Sequence, residues 1–262
     1  SPVRRERRDG GLLRLTLVDA RRRNALSMRL MTALAAAIAE AAADPEVRVV
    51  VIAAEGPAFS AGHDLKELTA ARADADRGRA FFEETMGTCA ALMTSIVRCP
   101  KPVIAEVAGV ATAAGCQLVA SCDLAIAAEG ASFATPGVHI GLFCSTPMVA
   151  LSRNVSRKHA MEMLLTGASV SAADAARMGL INRVVAADRL TEETEAMARL
   201  IASKSPLTLK IGKEAFYAQG EMGLDEAYRL TARVMVENML ARDAEEGISA
   251  FIEKRPPTWE GR

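Results

Sequence analysis

Residues 101–129 read KPVIAEVAGVATAAGCQLVASCDLAIAAE, and their pattern decides the fold class. Two apolar runs, Pro102 to Val107 and Leu124 to Ala128, flank a bend of small residues and a short helical segment from Cys116. Apolar runs of this length, bounded by turn residues, read as buried strands. Between them lie Gly109, Ala113, Ala114 and Gly115. Small residues at a strand-to-helix turn let a ligand approach the backbone, and a helix start supplies N–H groups without internal partners. Such a turn suits an oxygen that carries developing negative charge. Taken alone it reads first as an ordinary tight connection.

A second turn of the same kind changes the balance. Val47 to Ala53 is a continuous apolar strand, expected to be buried on both faces. It leads into EGPAFSAGHDLKEL, where Ala61-Gly62-His63 passes into a helix beginning near Asp64. Two strand–turn–helix units about fifty residues apart favour a paired anion hole over coincidence.

Working outward, Leu12 to Val18 reads as a strand, and Asp19 to Asn24 as a polar turn containing Arg21 to Arg23. Ser27 is placed to cap a long helix with Leu30, Met31, Leu34, Ile38 and Ala41 on one face, stopped at Asp44-Pro45. Residues 70–79 are polar without periodicity and read as a mobile surface segment, and Phe81 to Val97 as a helix. Pro136, Gly137 and Gly141 break the stretch after Glu129, and Thr146 to Arg153 reads as a short helix. Ser156 caps the next helix, and Ser171 with Asp174 forms a capping box for a helix closed by Gly179. Ile181 to Val185 is a short strand. Four helices are then expected over Leu190–Lys204, Leu207–Gln219, Leu224–Ala241 and Glu245–Lys254. No internal repeat stands out as a solenoid.

Composition bounds the function. With 262 residues, half of them apolar, the chain has ample material for a core, and its formal net charge of zero argues against a nucleic-acid binder. Five cysteines without a C-x-x-C pair read as reduced thiols with no zinc framework. No apolar run reaches membrane-spanning length, and the Arg-rich start has neither a secretory core nor a convincing amphipathic leader. The cytoplasm is therefore the expected location. Neither a Walker A sequence nor G-x-G-x-x-G occurs.

Together RRRNALS, FSAGHDLKEL, the 101–129 stretch, SFATPGVHIGLF and GISAFIEKRPP resemble the crotonase (enoyl-CoA hydratase/isomerase) superfamily over almost the full chain. The resemblance extends to a subgroup of enoyl-CoA hydratase domain-containing proteins. It implies an α/β fold, a ββα superhelix over about residues 1–200 with a helical trimerisation region over 201–262. It also implies a homotrimer or hexamer that acts on acyl-CoA in fatty-acid or related metabolism, with a coenzyme A thioester as substrate and no separate cofactor. By motif position, the backbone N–H groups of His63 and Ala114 would form the oxyanion hole. Ala61, Asp64, Leu65 and Lys66 would lie along the CoA moiety.

The family pattern is broken at two points. Hydratases of this family carry a glutamate just after Gly-Cys and another after the next loop's Pro; here these positions hold Gln117 and Gly137. Gln can hold water or substrate by hydrogen bonds, but it cannot exchange a proton near neutral pH. His139, one of three histidines, is the alternative acid/base in the same loop, and Cys144 lies nearby. Glu106, Asp123 and His159 are read as structural or solvated. Restoring glutamate at both 117 and 137 is expected to bring hydratase activity. Decarboxylation of a CoA thioester, and acyl-CoA binding without catalysis, remain open alternatives.

Overall fold

The computed structural model describes residues 1–262. β1 (Val3–Arg8) and β2 (Leu12–Leu17) form an antiparallel pair, and α1 (Met28–Ala43) follows. The body then repeats a long strand, a short strand and a helical segment. The first unit is β3 (Val49–Ala54), β4 (Ala58–Ser60) and α2 (Leu65–Ala71), with α3 (Arg79–Arg98) after it. The second is β5 (Val103–Val107), β6 (Val110–Thr112) and α4 (Ala114–Ser121). The third is β7 (Leu124–Ala128) and β8 (Ser132–Ala134), then a 3-10 turn at Pro136–Ile140 and α5 (Pro147–Leu151). α6 (Arg157–Thr166), β9 (Val170–Ser171), α7 (Ala172–Met178) and β10 (Arg183–Val185) complete the mixed body. α8 (Leu190–Ala202), α9 (Pro206–Gln219), α10 (Leu224–Leu240) and α11 (Arg242–Glu253) end the chain.

The long strands form one sheet in the order β1-β2-β3-β5-β7-β10, parallel except for β1. The short strands form a second, β4-β6-β8-β9. Each turn of the spiral thus places one strand in each sheet. Val50 and Ile52 face the main core with Leu34, Ile38 and Leu92, while Val49 and Val51 pack toward Ala198 and Ala202 of α8. Burial on both faces is why β3 reads as an unbroken apolar run.

Sequence pattern explains the termini of several elements. Ser27 Oγ accepts the Leu30 N–H at 3.2 Å and caps α1, and Ser171 Oγ accepts the Asp174 N–H at 3.1 Å. Ser156 precedes α6 as expected, but its hydroxyl meets His159 Nδ1 at 3.2 Å and caps no N–H. Two half-buried ion pairs fasten outer helices to the body. Arg14 grips Glu106 with both guanidinium nitrogens while Thr191 of α8 donates to the same carboxylate at 3.1 Å. Lys213 of α9 donates to Asp123 at 2.7 Å and to the Ile96 and Lys101 carbonyls, and Tyr217 adds a bond to Asp123 at 2.8 Å. These contacts give the two carboxylates structural work.

The short-strand sheet and β1 are absent from the sequence reading. Three-residue strands offer too little alternation to register, and VRRERR lacks the apolar alternation of a strand. In the fold its arginines pair with Glu55, Glu40, Asp44 and Glu6, a charged rim on an edge strand. Residues 72–77 form an exposed turn between α2 and α3, closed by the buried Gly78.

Candidate active site

β4, β6 and β8 run parallel, and their C-terminal ends deliver three turns to one place. The first is Ala61-Gly62-His63, the second Ala113-Ala114, the third Thr135-Pro136-Gly137. Ligands of parallel sheets are met at this end of the strands. The Ala113 N–H donates to the Ala134 carbonyl at 2.9 Å, joining the second turn to the third. A Cβ on Gly62 would stand 2.9 Å from Ala113 Cβ and 3.3 Å from Ala114 N, so the first two turns touch. At Gly115 a Cβ would collide with the Ser60 carbonyl, which is why the second residue of α4 lacks one.

The backbone here is set under strain. Ala113, the N-cap of α4, has φ 51° and ψ −120°, a conformation that glycine adopts readily and alanine does not. It turns the chain sharply into α4. No carbonyl in the turns and loops accepts the N–H of His63, and Ala114 opens α4, where the first N–H has no partner within its own helix.

The first turn is braced by residues that sequence reasoning passed over. Asn24 is buried, with φ 49°; its amide donates to the Glu55 and Ala58 carbonyls at 2.9 and 2.8 Å, and Oδ1 accepts the Asp19 N–H. Ser60 Oγ donates to the Asn24 carbonyl at 2.8 Å and lies 3.3 Å from the Gly62 N–H. The Ala61 N–H donates to the Arg23 carbonyl, and the Leu26 N–H donates to Gly62. The clue was present: an Asn ending a polar turn is the residue type that tolerates left-handed backbone.

Other predicted residues fall around this centre. Asp64 is buried and caps α2, accepting the Lys66 N–H at 2.9 Å, with Arg22 3.7 Å away. Ala61, Leu65 and Lys66 are exposed beside it. The His63 ring has both nitrogens sealed from solvent without a hydrogen-bond partner. Burial lowers its pKa, only partly offset by the nearby Leu26 backbone, so the ring is held neutral. Gln117 is buried on α4, its Oε1 facing Cys89 Sγ at 3.7 Å. Gly137 is buried too. His139 is exposed, its ring against Gly167 at the end of α6. Burial pushes the Cys116 thiol up to about 12, Cys89 to about 11, and raises Cys144, so these stay protonated thiols.

A ββα spiral of this kind with a helical C-terminal region defines a class, and sequence comparison agrees with it. The enoyl-CoA hydratase/isomerase family profile matches residues 7–262, and the chain belongs to that family. Enoyl-CoA hydratase domain-containing protein 3, mitochondrial, of Rattus norvegicus is 49% identical over 253 residues, covering 97% of this chain and 83% of that protein. The crystal structure of an enoyl-CoA hydratase of Mycobacterium smegmatis superposes with TM-score 0.94 at 49% identity, covering 99% of both chains. That of human enoyl Coenzyme A hydratase domain-containing protein 3 gives TM-score 0.94 at 47% identity, covering 99% of this chain and 100% of that one. These relationships also correct one expectation. The similar proteins of rat, Xenopus laevis and mouse are named mitochondrial, against the cytoplasmic assignment. Reduced thiols and the lack of a membrane-length apolar run do not separate the two compartments. No helix is long and apolar enough to cross a membrane.

Proposed function

We propose that the chain is an acyl-CoA enzyme that stabilises a thioester enolate between the N–H groups of His63 and Ala114. The observation that carries this reading is the His63 N–H, accepted by no loop carbonyl, on a braced turn that touches the start of α4 at Ala114. An enolate places its charge on the thioester oxygen, and fixed donors in a dry site meet it without reorganising. The start of α4 adds its dipole at the same point. Ala61, Asp64, Leu65 and Lys66 lie along the CoA moiety, and the reading calls on no cofactor beyond the CoA of the substrate.

Hydration through a glutamate pair has no support, because neither Gln117 nor Gly137 can hold or release a proton near neutral pH. His139, exposed and turned to Gly167, is a weak candidate for that task. One further reading follows from this lack of a base. In decarboxylation of a malonyl-type thioester the bond to the carboxylate breaks, carbon dioxide leaves, and its electron pair becomes the enolate. The α-carbon then takes a proton from water. Only the oxyanion hole is required of the protein.

Crotonyl-CoA and malonyl-type thioesters test the two. The account expects acyl-CoA binding and negligible loss of the conjugated-thioester absorbance. Rapid hydration of crotonyl-CoA would contradict it. Carbon dioxide release from a malonyl-type thioester would select decarboxylation, and tight binding with no product would select a binding protein.

Copies of the chain assemble as trimers or as hexamers in this reading. α9 and α10 bury none of their residues, and Leu240 and Phe251 are 76% and 85% exposed. Apolar faces of that extent mark contact surfaces. Sedimentation should give a multiple of three protomers, reduced by Leu240→Glu with Phe251→Glu; a monomeric wild type would refute the assembly.

A further inference from the structure

Gly137 is enclosed by its own loop. Its carbonyl accepts the N–H groups of Gly141 and Leu142, and its N–H points to Cys144 Sγ at 3.4 Å. A Cβ at this position would stand 2.7 Å from the Leu142 carbonyl oxygen and 3.0 Å from Cys144 Sγ. The direction in which a side chain at 137 would leave is therefore filled by a thiol and a backbone carbonyl. Cys144 is itself held, since its carbonyl accepts the Met148 N–H at 2.9 Å and starts α5, which packs on α4. This alters the expectation for restored glutamates: Gly137→Glu cannot be built without moving the segment from Leu142 to Cys144.

We propose that Cys144 is a positioning residue that reserves position 137 for glycine, its thiol filling the side-chain space there and holding the turn through the Gly137 N–H. Beside the Ala113–Ala114 turn the loop then offers a ligand backbone and a neutral thiol in place of a side chain. A small residue at 144 frees the 3.0 Å contact and the bond to the Gly137 N–H, while Leu142 stays held by its own N–H to the Gly137 carbonyl, so substitutions at 137 and 144 are coupled through the thiol. Serine at 144 keeps an acceptor for the Gly137 N–H and preserves the restriction.

The test is a cycle of Gly137→Ala, Cys144→Gly and the double variant, with Gly137→Ala/Cys144→Ser beside it, read by Tm and by affinity for butyryl-CoA and free CoA. For the binding readout it rests on the acyl-CoA reading. Gly137→Ala alone should lower Tm and weaken butyryl-CoA about tenfold more than free CoA. In the Cys144→Gly background the share of that penalty owed to the thiol contact should vanish, a coupling of about threefold. In the Cys144→Ser background it should persist. Additive effects, or equal losses for butyryl-CoA and CoA, would overturn the proposal. If the wild type binds neither, the acyl-CoA reading fails, and the coupling in Tm alone decides whether Cys144 controls position 137.

Discussion

The two sides of the site differ in what the chain invests in them. On the Ala61–His63 and Ala113–Ala114 side, Asn24, Ser60, Gly62 and Gly115 brace the backbone, and Ala113 is held at a positive φ. On the Gln117 and Gly137 side, an amide and an enclosed glycine stand where the family resemblance places two carboxylates. In the proposed reading the first side binds charge, and the second has no group that moves a proton. Holding and turning over are thus separable properties of one scaffold, and an altered reaction needs only the second to change.

The sharpest way to break this comparison is to remove one donor. Replacing the Ala113–Ala114 amide by an ester should cost about 3 kcal/mol, or 100- to 1,000-fold in any enolate-dependent turnover. Gln117→Ala should cost less than about tenfold in the same assay, because no proton passes through it. Similar losses for both would erase the distinction between the two sides.

A smaller effect is expected one layer out. Asn24→Ala leaves the buried Ala58 carbonyl, the Glu55 carbonyl and the Asp19 N–H without their Asn24 partner. The expected cost is about 1–3 kcal/mol in stability, with weakened acyl-CoA binding. Urea unfolding with parallel calorimetry would check both, and unchanged binding in the destabilised variant would detach Asn24 from the site.

The smallest effect is electrostatic. Burial depresses the His63 pKa below its ordinary value of 6.5. As pH falls through that range the unfolded chain binds a proton that the fold refuses. Stability is therefore full above it and declines on acidification toward the lowered value, by no more than about 1.4 kcal/mol per pH unit. His63→Gln should flatten this part of the pH–stability curve and leave the neutral-pH hole in place, since its donor is main-chain.

Much of this was legible in residues 101–129 and in AGHD. Long apolar strands, the capping serines Ser27 and Ser171, and the final helices declare themselves through periodicity and turn chemistry. The short-strand sheet did not, because three residues carry no period and their pairing is fixed by tertiary contact. Nor did the bracing by Asn24 and Ser60, whose partners lie more than thirty residues away. In the sequence Gly137 is only a missing carboxylate; the return of Leu142 and Cys144 over it is what closes the position.

The central claim is that the main-chain donors of His63 and Ala114 polarise a bound thioester. Isotope-edited infrared spectroscopy of butyryl-CoA labelled with carbon-13 at its carbonyl tests this without presuming a reaction. The account predicts that the carbonyl stretch of the bound thioester moves to lower frequency than in water, and that the Ala114 ester variant loses most of that shift. A bound carbonyl that absorbs where the free one does would contradict it.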